Sequence, residues 1–232
     1  MTKTIRNYIA ALAALSFLMV PTIANADFLG YAMGVTVQGG AAEVKAFETD
    51  PEGTKKDGLA KEEVIFPSLF AEIRYGLNDR LSVAVGVDLL PGSAEFVQET
   101  KADTDLIDKD SSANTGTSKV TGAISGFAKV YIQPTVRLTD VFSVYLTAGM
   151  STMDVDVDAD LVTSTNFNKT ATSDGTHFGA GIMAENANGF FMKVEGNASA
   201  YDSVSYTTSD STVAKVSNLD EENVTLLIGK GF

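Results

Sequence analysis

The chain has 232 residues and a formal net charge of −13, with 17 Lys and Arg residues against 30 Asp and Glu. An acidic chain is a poor candidate for nucleic-acid binding, which needs clustered Lys and Arg, so we expect no nucleic-acid partner. The absence of Cys excludes disulfides and thiolate metal sites, and it is compatible with transit through an oxidising compartment.

The first 26 residues have the pattern of a secretory signal peptide. Lys3 and Arg6 supply a positive start, residues 8–20 are apolar, and Ala24-Asn25-Ala26 forms a small-residue cleavage site. A membrane-anchoring helix is the alternative, but this apolar stretch is too short to span a bilayer. We therefore predict cleavage after Ala26, with a signal peptide at residues 1–26 and one barrel domain at residues 27–232.

The rest of the chain repeats stretches of about ten residues in which apolar side chains alternate with small or polar ones. This period-two pattern is typical of transmembrane β-strands, which have one face towards lipid and the other towards a lumen. No segment after residue 26 has 18 consecutive apolar residues, which excludes a helical membrane protein. The eight predicted strands lie roughly at residues 28–45, 64–76, 81–90, 125–138, 142–154, 176–185, 190–201 and 223–232.

The connections between these strands alternate in length. Tight turns rich in Asn, Asp and Gly are predicted at residues 76–80, 139–141 and 186–189. Long connections are predicted at residues 47–62, 91–124, 155–175 and 202–221. Outer-membrane barrels have short periplasmic turns and longer external loops. The predicted fold class is therefore all-β, an eight-stranded antiparallel up-and-down transmembrane β-barrel, with both termini on the periplasmic side.

Aromatic residues recur on the predicted outward face near the tight turns. Five aromatics at one level are expected to form an interfacial girdle on the periplasmic side. The predicted girdle consists of Tyr31, Tyr75, Phe142, Phe190 and Phe232.

The predicted inward face contains small residues and a nearly balanced set of charges. The predicted lumenal charge network consists of Glu72, Arg74, Asp88, Lys129, Arg137, Lys193 and Glu195. Because an eight-stranded barrel is just wide enough for its inward side chains to fill it, we favour a packed, ion-paired plug. A narrow polar pathway remains the alternative.

Two further features of the sequence are candidate sites. His177 is the only histidine, and the chain continues with Phe178-Gly179, without the nearby serine that a catalytic triad would show, which favours a structural role. Residues 154–160 place four carboxylates on one face, but this stretch lacks the Gly and distal Glu of a calcium-binding loop. A solvated strand extension is favoured, with divalent ions bridging it to lipopolysaccharide as a hypothesis. No cofactor or metal is predicted.

Residues 73–83 (IRYGLNDRLSV) resemble a strand, turn and strand of small outer-membrane barrels of Gram-negative bacteria, and residues 137–144 (RLTDVFSV) repeat the pattern more weakly. The family is that of the opacity proteins and the outer membrane protein A-like barrels. In this family the last strand usually ends in an aromatic residue, as Phe232 does, while Lys230 departs from the usual apolar residue.

The resemblance implies an outer-membrane location, contact with lipid and lipopolysaccharide, and assembly through the C-terminal strand. It also implies a structural or surface-interaction role without catalysis, with no surface ligand identified. The alternatives are a narrow porin-like channel for small solutes or apolar compounds, similar to the outer membrane protein W type, and a lipid-modifying enzyme. A soluble periplasmic β-sandwich is the alternative fold.

Overall fold

The computed structural model describes residues 29–49, 55–103, 116–160, 167–207 and 213–232, so the predicted signal peptide lies outside the described residues. All regular structure in these ranges is β-strand, and no helix there is long and apolar enough to cross a membrane. The strands are β1 (Leu29–Thr49), β2 (Lys55–Gly76), β3 (Leu81–Leu89), β4 (Ser93–Asp103), β5 (Gly116–Arg137), β6 (Phe142–Asp160), β7 (Phe167–Glu185), β8 (Phe190–Tyr201), β9 (Val204–Thr207) and β10 (Val213–Gly231).

These strands form one closed antiparallel barrel. They pair in the order β1-β2-β3-β5-β6-β7-β8-β10, and β1 closes the barrel by pairing with β10 from Ala32↔Gly231 to Thr49↔Val213. Because β3 and β4 both pair with β5, they form one interrupted barrel strand, and β8 and β9 form another beside β10. The predicted eight-stranded antiparallel barrel is therefore confirmed.

The three tight turns share one polar capping arrangement. Asn78 Oδ1 accepts hydrogen bonds from the backbone N–H groups of Arg80 and Leu81, both at 2.9 Å. Thr139 Oγ1 caps the second turn and Asn186 Oδ1 the third, each accepting two backbone N–H groups. Short polar side chains of this kind satisfy the backbone where a strand pair reverses. We call this the tight-turn end of the barrel, and the opposite end the long-loop end.

The strands extend much further at the long-loop end than the sequence predicts. Strand structure covers much of the four predicted long connections, including residues 93–103, 116–124, 155–160 and 167–175. The prediction was wrong here because the alternation of apolar and polar side chains stops, while backbone pairing between neighbouring strands continues. Sequence periodicity reports which surface a side chain meets, and not whether the backbone is paired.

Strand β6 shows how the two faces of the wall change along its length. Its outward side chains are apolar from Phe142 to Met150; further along, Thr152 and Asp154 are buried, Asp156 is half-buried and Asp158 is exposed. Its buried inward side chains change the opposite way, from Ser143 and Thr147 to Met153 and Val155. At about 3.3 Å per residue and a tilt near 40°, the apolar segment is roughly 20 Å tall. Beyond it, the described part of β6 has the polar Asp156 and Asp158 on its outer side and the buried, apolar Met153 and Val155 on its inner side.

A bulge in β5 adjusts which side chains point inward. The pairing of β5 with β6 shifts register between Ser125 and Ala128, and Gly126 there has a φ of 58°, which favours glycine. As a result, Ile124 and Phe127, three positions apart, are both buried in the lumen. Ala128, the next residue after Phe127, is also buried at this bulge.

Candidate functional site

The lumen is filled near its middle by a buried ion pair between Lys193 and Glu72. Both side chains are 0% exposed, and Lys193 Nζ donates a hydrogen bond to Oε1 of Glu72. Lys193 Nζ also donates to Gln133 Oε1 at 2.8 Å, and Tyr131 Oη donates to the same Glu72 oxygen at 2.9 Å. On the other side of the carboxylate, Arg74 Nε donates to Glu72 Oε2 at 3.0 Å. Every charged atom of the pair therefore has a partner, as buried charges require.

Three aromatic rings lie close to the same ammonium group. Lys193 Nζ lies 5.4 Å from the ring centroids of Tyr145 and Phe191 and 5.7 Å from that of Phe70. The Arg74 guanidinium lies 4.2 Å from the centroid of the Phe191 ring. We call the buried cluster in which these rings pack the inner apolar layer; its members are Ala32, Phe70, Tyr145, Met183, Phe191 and Leu227.

A second buried pair, Asp88 and Lys129, lies on the neighbouring strands β3 and β5. Lys129 Nζ is 3.5 Å from Asp88 Oδ2, and both side chains are almost fully buried. The ammonium also lies 5.5 Å from the centroid of the Tyr131 ring, which itself reaches Glu72. The two ion pairs are therefore joined through one tyrosine.

His177 lies in a hydrogen-bonded cluster with a serine and a glutamate. Its Nδ1 is 3.1 Å from Ser199 Oγ, and its Nε2 is 3.3 Å from Glu195 Oε1. Thr147 Oγ1 donates to the second Glu195 oxygen at 2.5 Å. The expectation that no serine lies near His177 was wrong, because β7 and β8 pair His177 directly with Ser199, 22 residues away. Strand register, which the sequence did not specify, would have been needed to find this pair.

An apolar cluster lies in the lumen towards the long-loop end. We call it the outer apolar layer; its buried members are Phe66, Leu90, Ile124, Phe127, Met153 and Val155. The rings of Phe66 on β2 and Phe127 on β5 meet edge to face, with centroids 5.2 Å apart. Because these strands are not neighbours, the contact crosses the barrel interior. The polar network thus lies between two apolar layers.

The remaining predicted lumenal charges lie at the tight-turn end. The Arg74 side chain extends from the network towards the tight-turn end, where its Nη1 donates to Glu185 Oε2 at 3.2 Å. Arg137 shares the inward face of β5, but it is the last residue of that strand and its side chain is exposed. It lines an open pocket of about 910 Å³ together with Arg80 and Asp140. The prediction that Arg137 belongs to the lumenal charge network is therefore wrong, because its side chain lies at the end of the barrel, where the lumen is open to solvent.

Four of the five predicted girdle residues are exposed on the outer surface: Tyr75, Phe142, Phe190 and Phe232. Tyr31 differs, since only 7% of it is exposed, so its ring does not present a lipid-facing surface like the others. Its backbone is instead the partner of the last residue, with N–H and C=O bonds to Phe232 at 3.1 and 2.8 Å. Lys230 Nζ lies 5.1 and 5.0 Å from the ring centroids of Phe190 and Phe232, which places this unusual lysine within the girdle.

The acidic stretch on β6 is held by neighbouring hydroxyl groups. Ser125 Oγ and Thr170 Oγ1 each donate to Asp156 at 2.5 Å, and Thr172 Oγ1 donates to Asp154 at 2.8 Å. Within the described ranges, no group of three or more His, Asp or Glu residues is arranged to hold a metal ion. Burial, followed by the charge of Asp156, raises the pKa of nearby Tyr206 to about 12. These contacts describe a paired strand extension, and the divalent-ion hypothesis remains a prediction.

The comparisons with known proteins agree with this architecture. The model of the outer membrane protein beta-barrel domain family matches residues 10–223. A search of curated protein sequences gives no significant match. Among solved structures, the chain is similar to the attachment invasion locus protein Ail of Yersinia pestis, in complex with sucrose octasulfate, at 15% identity and a TM-score of 0.39, covering 88% of this chain and 99% of Ail.

Two other solved structures show similarity at the same level. One is the outer membrane protein AlkL, at 14% identity and a TM-score of 0.42, covering 90% of this chain and 92% of AlkL. The other is the outer membrane protease OmpT of Escherichia coli, at 9% identity and a TM-score of 0.42, covering 90% of this chain and 98% of OmpT. At these identities and TM-scores, the functions of these proteins are not assigned to the chain.

Proposed function

Because the chain belongs to the outer membrane protein beta-barrel domain family, we propose that it is an integral outer-membrane barrel with a closed lumen and a non-catalytic, structural or surface-interaction role. The observation that carries this proposal is the filled lumen. Lys193 and Glu72 are fully buried at its centre, and Phe66 meets Phe127 across its outer part. A conducting pore would need a continuous hydrated path, and an eight-stranded barrel has little width to provide one beside these side chains.

The strand extensions support a role at the surface. Residues 151–160 of β6 continue beyond the apolar band, and at 3.3 Å per residue with the usual tilt they project roughly 25 Å further. The long connections are thereby presented above the lipid surface, where lipopolysaccharide and molecules outside the cell would be met. Lipopolysaccharide, outer-membrane lipid and the assembly machinery that would recognise the C-terminal strand are the partners we propose. The surface ligand is not identified by the residues.

Single-channel recording in planar bilayers tests the closed lumen. We expect the refolded wild-type protein to give no current steps above the lipid background. The matched control is a variant with Lys193→Ala, Phe66→Ala and Phe127→Ala, which removes both the central plug and the outer contact and is expected to give steps. Regular steps from the wild-type protein would favour the alternative of a narrow channel and overturn the proposal.

One observation favours a second candidate function, hydrolysis of an ester. Ser199, His177 and Glu195 have the residue types and contacts of a nucleophile, base and orienting acid. However, Ser199 is only 6% exposed and faces a closed lumen, so a substrate carbonyl has no route to its hydroxyl. A fluorophosphonate probe separates the two candidates: we expect no labelling of the native protein, whereas labelling lost in Ser199→Ala would establish the hydrolase.

A further inference from the structure

Two arginines lie opposite each other at the mouth of the lumen at the tight-turn end. Arg80 immediately precedes β3, and Arg137 is the last residue of β5. The pair Leu81↔Val136 sets the register of these strands, and the Arg137 N–H donates to the Arg80 carbonyl at 2.7 Å. Since Leu81 and Val136 face outward, both arginines lie on the inward face. We call Arg80 and Arg137 the arginine pair.

The charges of the arginine pair are not neutralised by the part of the chain that the structure describes. Both residues are exposed, and neither forms an ion pair with a described residue. Like charges directly opposite each other on neighbouring strands are destabilising. A negative group bound between the two guanidinium groups would remove this repulsion, and side chains at such positions start only about 5 Å apart, so both can reach one anion.

The arginine pair lines the open pocket of about 910 Å³ at this end, together with other hydrogen-bond donors. Ser82 lies one inward position deeper on β3, and Ser143 on β6 is the strand partner of Arg137. Both serines line the same pocket. Guanidinium groups are donors only, and hydroxyl groups can donate. Three neighbouring strands therefore present donors to one side of the pocket.

Arg74 presents a further donor from deeper in the same pocket. Its Nε donates to Glu72 and its Nη1 to Glu185, at 3.0 and 3.2 Å. Among the described residues, the acceptor nearest to its Nη2 is the sulfur of Met183, at 3.9 Å. A thioether is a weak acceptor, and both Arg74 and Met183 line the pocket. This edge of the guanidinium is therefore available to a molecule in the pocket.

The carboxylates of the pocket restrict the charge of that molecule. Glu185 is held by Arg74, whereas Asp79 and Asp140 lie in the turns beside the arginine pair. These two aspartates would repel a multiply charged anion more strongly than a singly charged one. Arginine binds carboxylate and phosphate oxygens through paired hydrogen bonds. We propose that the arginine pair binds a singly charged oxyanion group, a carboxylate or a phosphodiester, in the pocket at the tight-turn end.

This inference goes beyond the proposed function, which assigns surface interactions to the long-loop end. It gives the opposite end of the barrel, periplasmic in the proposed orientation, a recognition site of its own. The two chemical forms have different sources. A carboxylate would belong to a soluble molecule, and a phosphodiester to the head group of a phospholipid in the surrounding leaflet.

NMR spectra of the arginine Nε–Hε groups test the proposal. The full chain is refolded into octyl glucoside micelles, which contain no phosphate or carboxylate, and is titrated separately with sodium acetate and sodium dimethyl phosphate. Sodium chloride keeps the ionic strength constant. We expect the signals of Arg80 and Arg137 to shift together and to saturate with at least one anion, and the anion that binds more tightly identifies the source. Shifts that do not saturate with either anion would overturn the proposal.

Arg80→Gln removes one member of the pair, and its effect is read from the Arg137 signal. Loss of a hydrogen bond between charged groups is expected to weaken binding of the anion about tenfold or more. Lys169→Gln is the matched control, because Lys169 is an exposed cation near the long-loop start of β7, and we expect its affinity to equal that of the wild type. Equal weakening by both substitutions would show attraction by net charge alone and contradict the proposal.

The urea midpoint of unfolding gives a second readout and also shows that the variant folds. Without added anion, we expect the Arg80→Gln midpoint not to fall, since the substitution removes a repulsion. With the anion, the wild-type midpoint is expected to rise and the Arg80→Gln midpoint to rise much less, because a ligand stabilises only the state that binds it. An equal rise in both proteins would contradict the proposal. Neither readout depends on conductance, so its failure is distinct from failure of the closed-lumen proposal.

Discussion

Gly86 and Tyr131 lie directly opposite each other on β3 and β5, and the Tyr131 ring occupies the space that a side chain at position 86 would need. A Cβ atom built on Gly86 would lie 2.3 Å from Cζ of that ring. The same arrangement recurs at Gly181 and Tyr145, where the distance is 2.5 Å. Each glycine lets a tyrosine lie flat along the inner wall, and Tyr131 thereby reaches Glu72.

Gly86→Ala is expected to destabilise the barrel by about 1–3 kcal/mol, because the added methyl group displaces Tyr131 and weakens its bond to Glu72. The measurement is the urea midpoint of unfolding from lipid vesicles. Gly196→Ala is the matched control: Gly196 faces outward on β8 with nothing within 4 Å of its Cβ position, so we expect a change within about 0.5 kcal/mol. Equal effects of the two substitutions would show that the ring does not rest on Gly86.

The Lys193–Glu72 pair is expected to respond unequally to loss of either partner. Glu72→Gln leaves the buried Lys193 ammonium bonded only to uncharged groups such as Gln133, whereas Lys193→Met leaves the Glu72 carboxylate bonded to Arg74 and Tyr131. We expect the first to cost about 3–5 kcal/mol and the second less. A double-mutant cycle on urea midpoints measures both and their coupling.

The control for this cycle is Arg137→Gln, since Arg137 is exposed and has no ion pair with a described residue. Its effect is expected to lie within about 0.5 kcal/mol. A cost at Arg137 comparable to that at Lys193 would place Arg137 in the network after all.

The features that the sequence predicted are those that depend on local alternation and turn chemistry. The tight turns at residues 76–80, 139–141 and 186–189 lie where expected, because capping residues such as Asn78 act within a few positions. The outward apolar side chains of β6 were likewise predictable, since lipid requires them. The fold followed from these two kinds of pattern together, and the family was implied by the resemblance of residues 73–83 and 137–144 to small outer-membrane barrels.

What the sequence did not predict depends on register and on packing across the lumen. The contact of His177 with Ser199 requires the pairing of β7 with β8, which alternation alone does not fix. The inward orientation of both Ile124 and Phe127 requires the bulge at Gly126, which interrupts alternation. The strand extensions were missed because the alternation of outward apolar and inward polar side chains stops beyond the apolar band, although the strands remain paired.

The girdle can be tested with single tryptophans, because the chain contains none. In vesicles containing lipid brominated near the headgroup, we expect strong fluorescence quenching for Phe142→Trp and Phe190→Trp, whose side chains are exposed on the outer surface. Tyr31→Trp is expected to be quenched much less, because this position is buried. Equal quenching at all three would restore the five-residue girdle that the sequence predicts.

The strand extensions predict slow amide hydrogen exchange where the sequence predicts long connections. Residues 155–159 of β6 are paired with residues 167–171 of β7, and β5 pairs with β6 as far as Asp160. Because amides bonded between two strands exchange only when the pairing opens, we expect peptides from 155–160 to exchange much more slowly than the turn at 139–141. Exchange measured by mass spectrometry on the protein in nanodiscs distinguishes a paired wall from loops. Rapid exchange at 155–160 would mean that the wall ends near the apolar band, and the surface role would then lose its structural support.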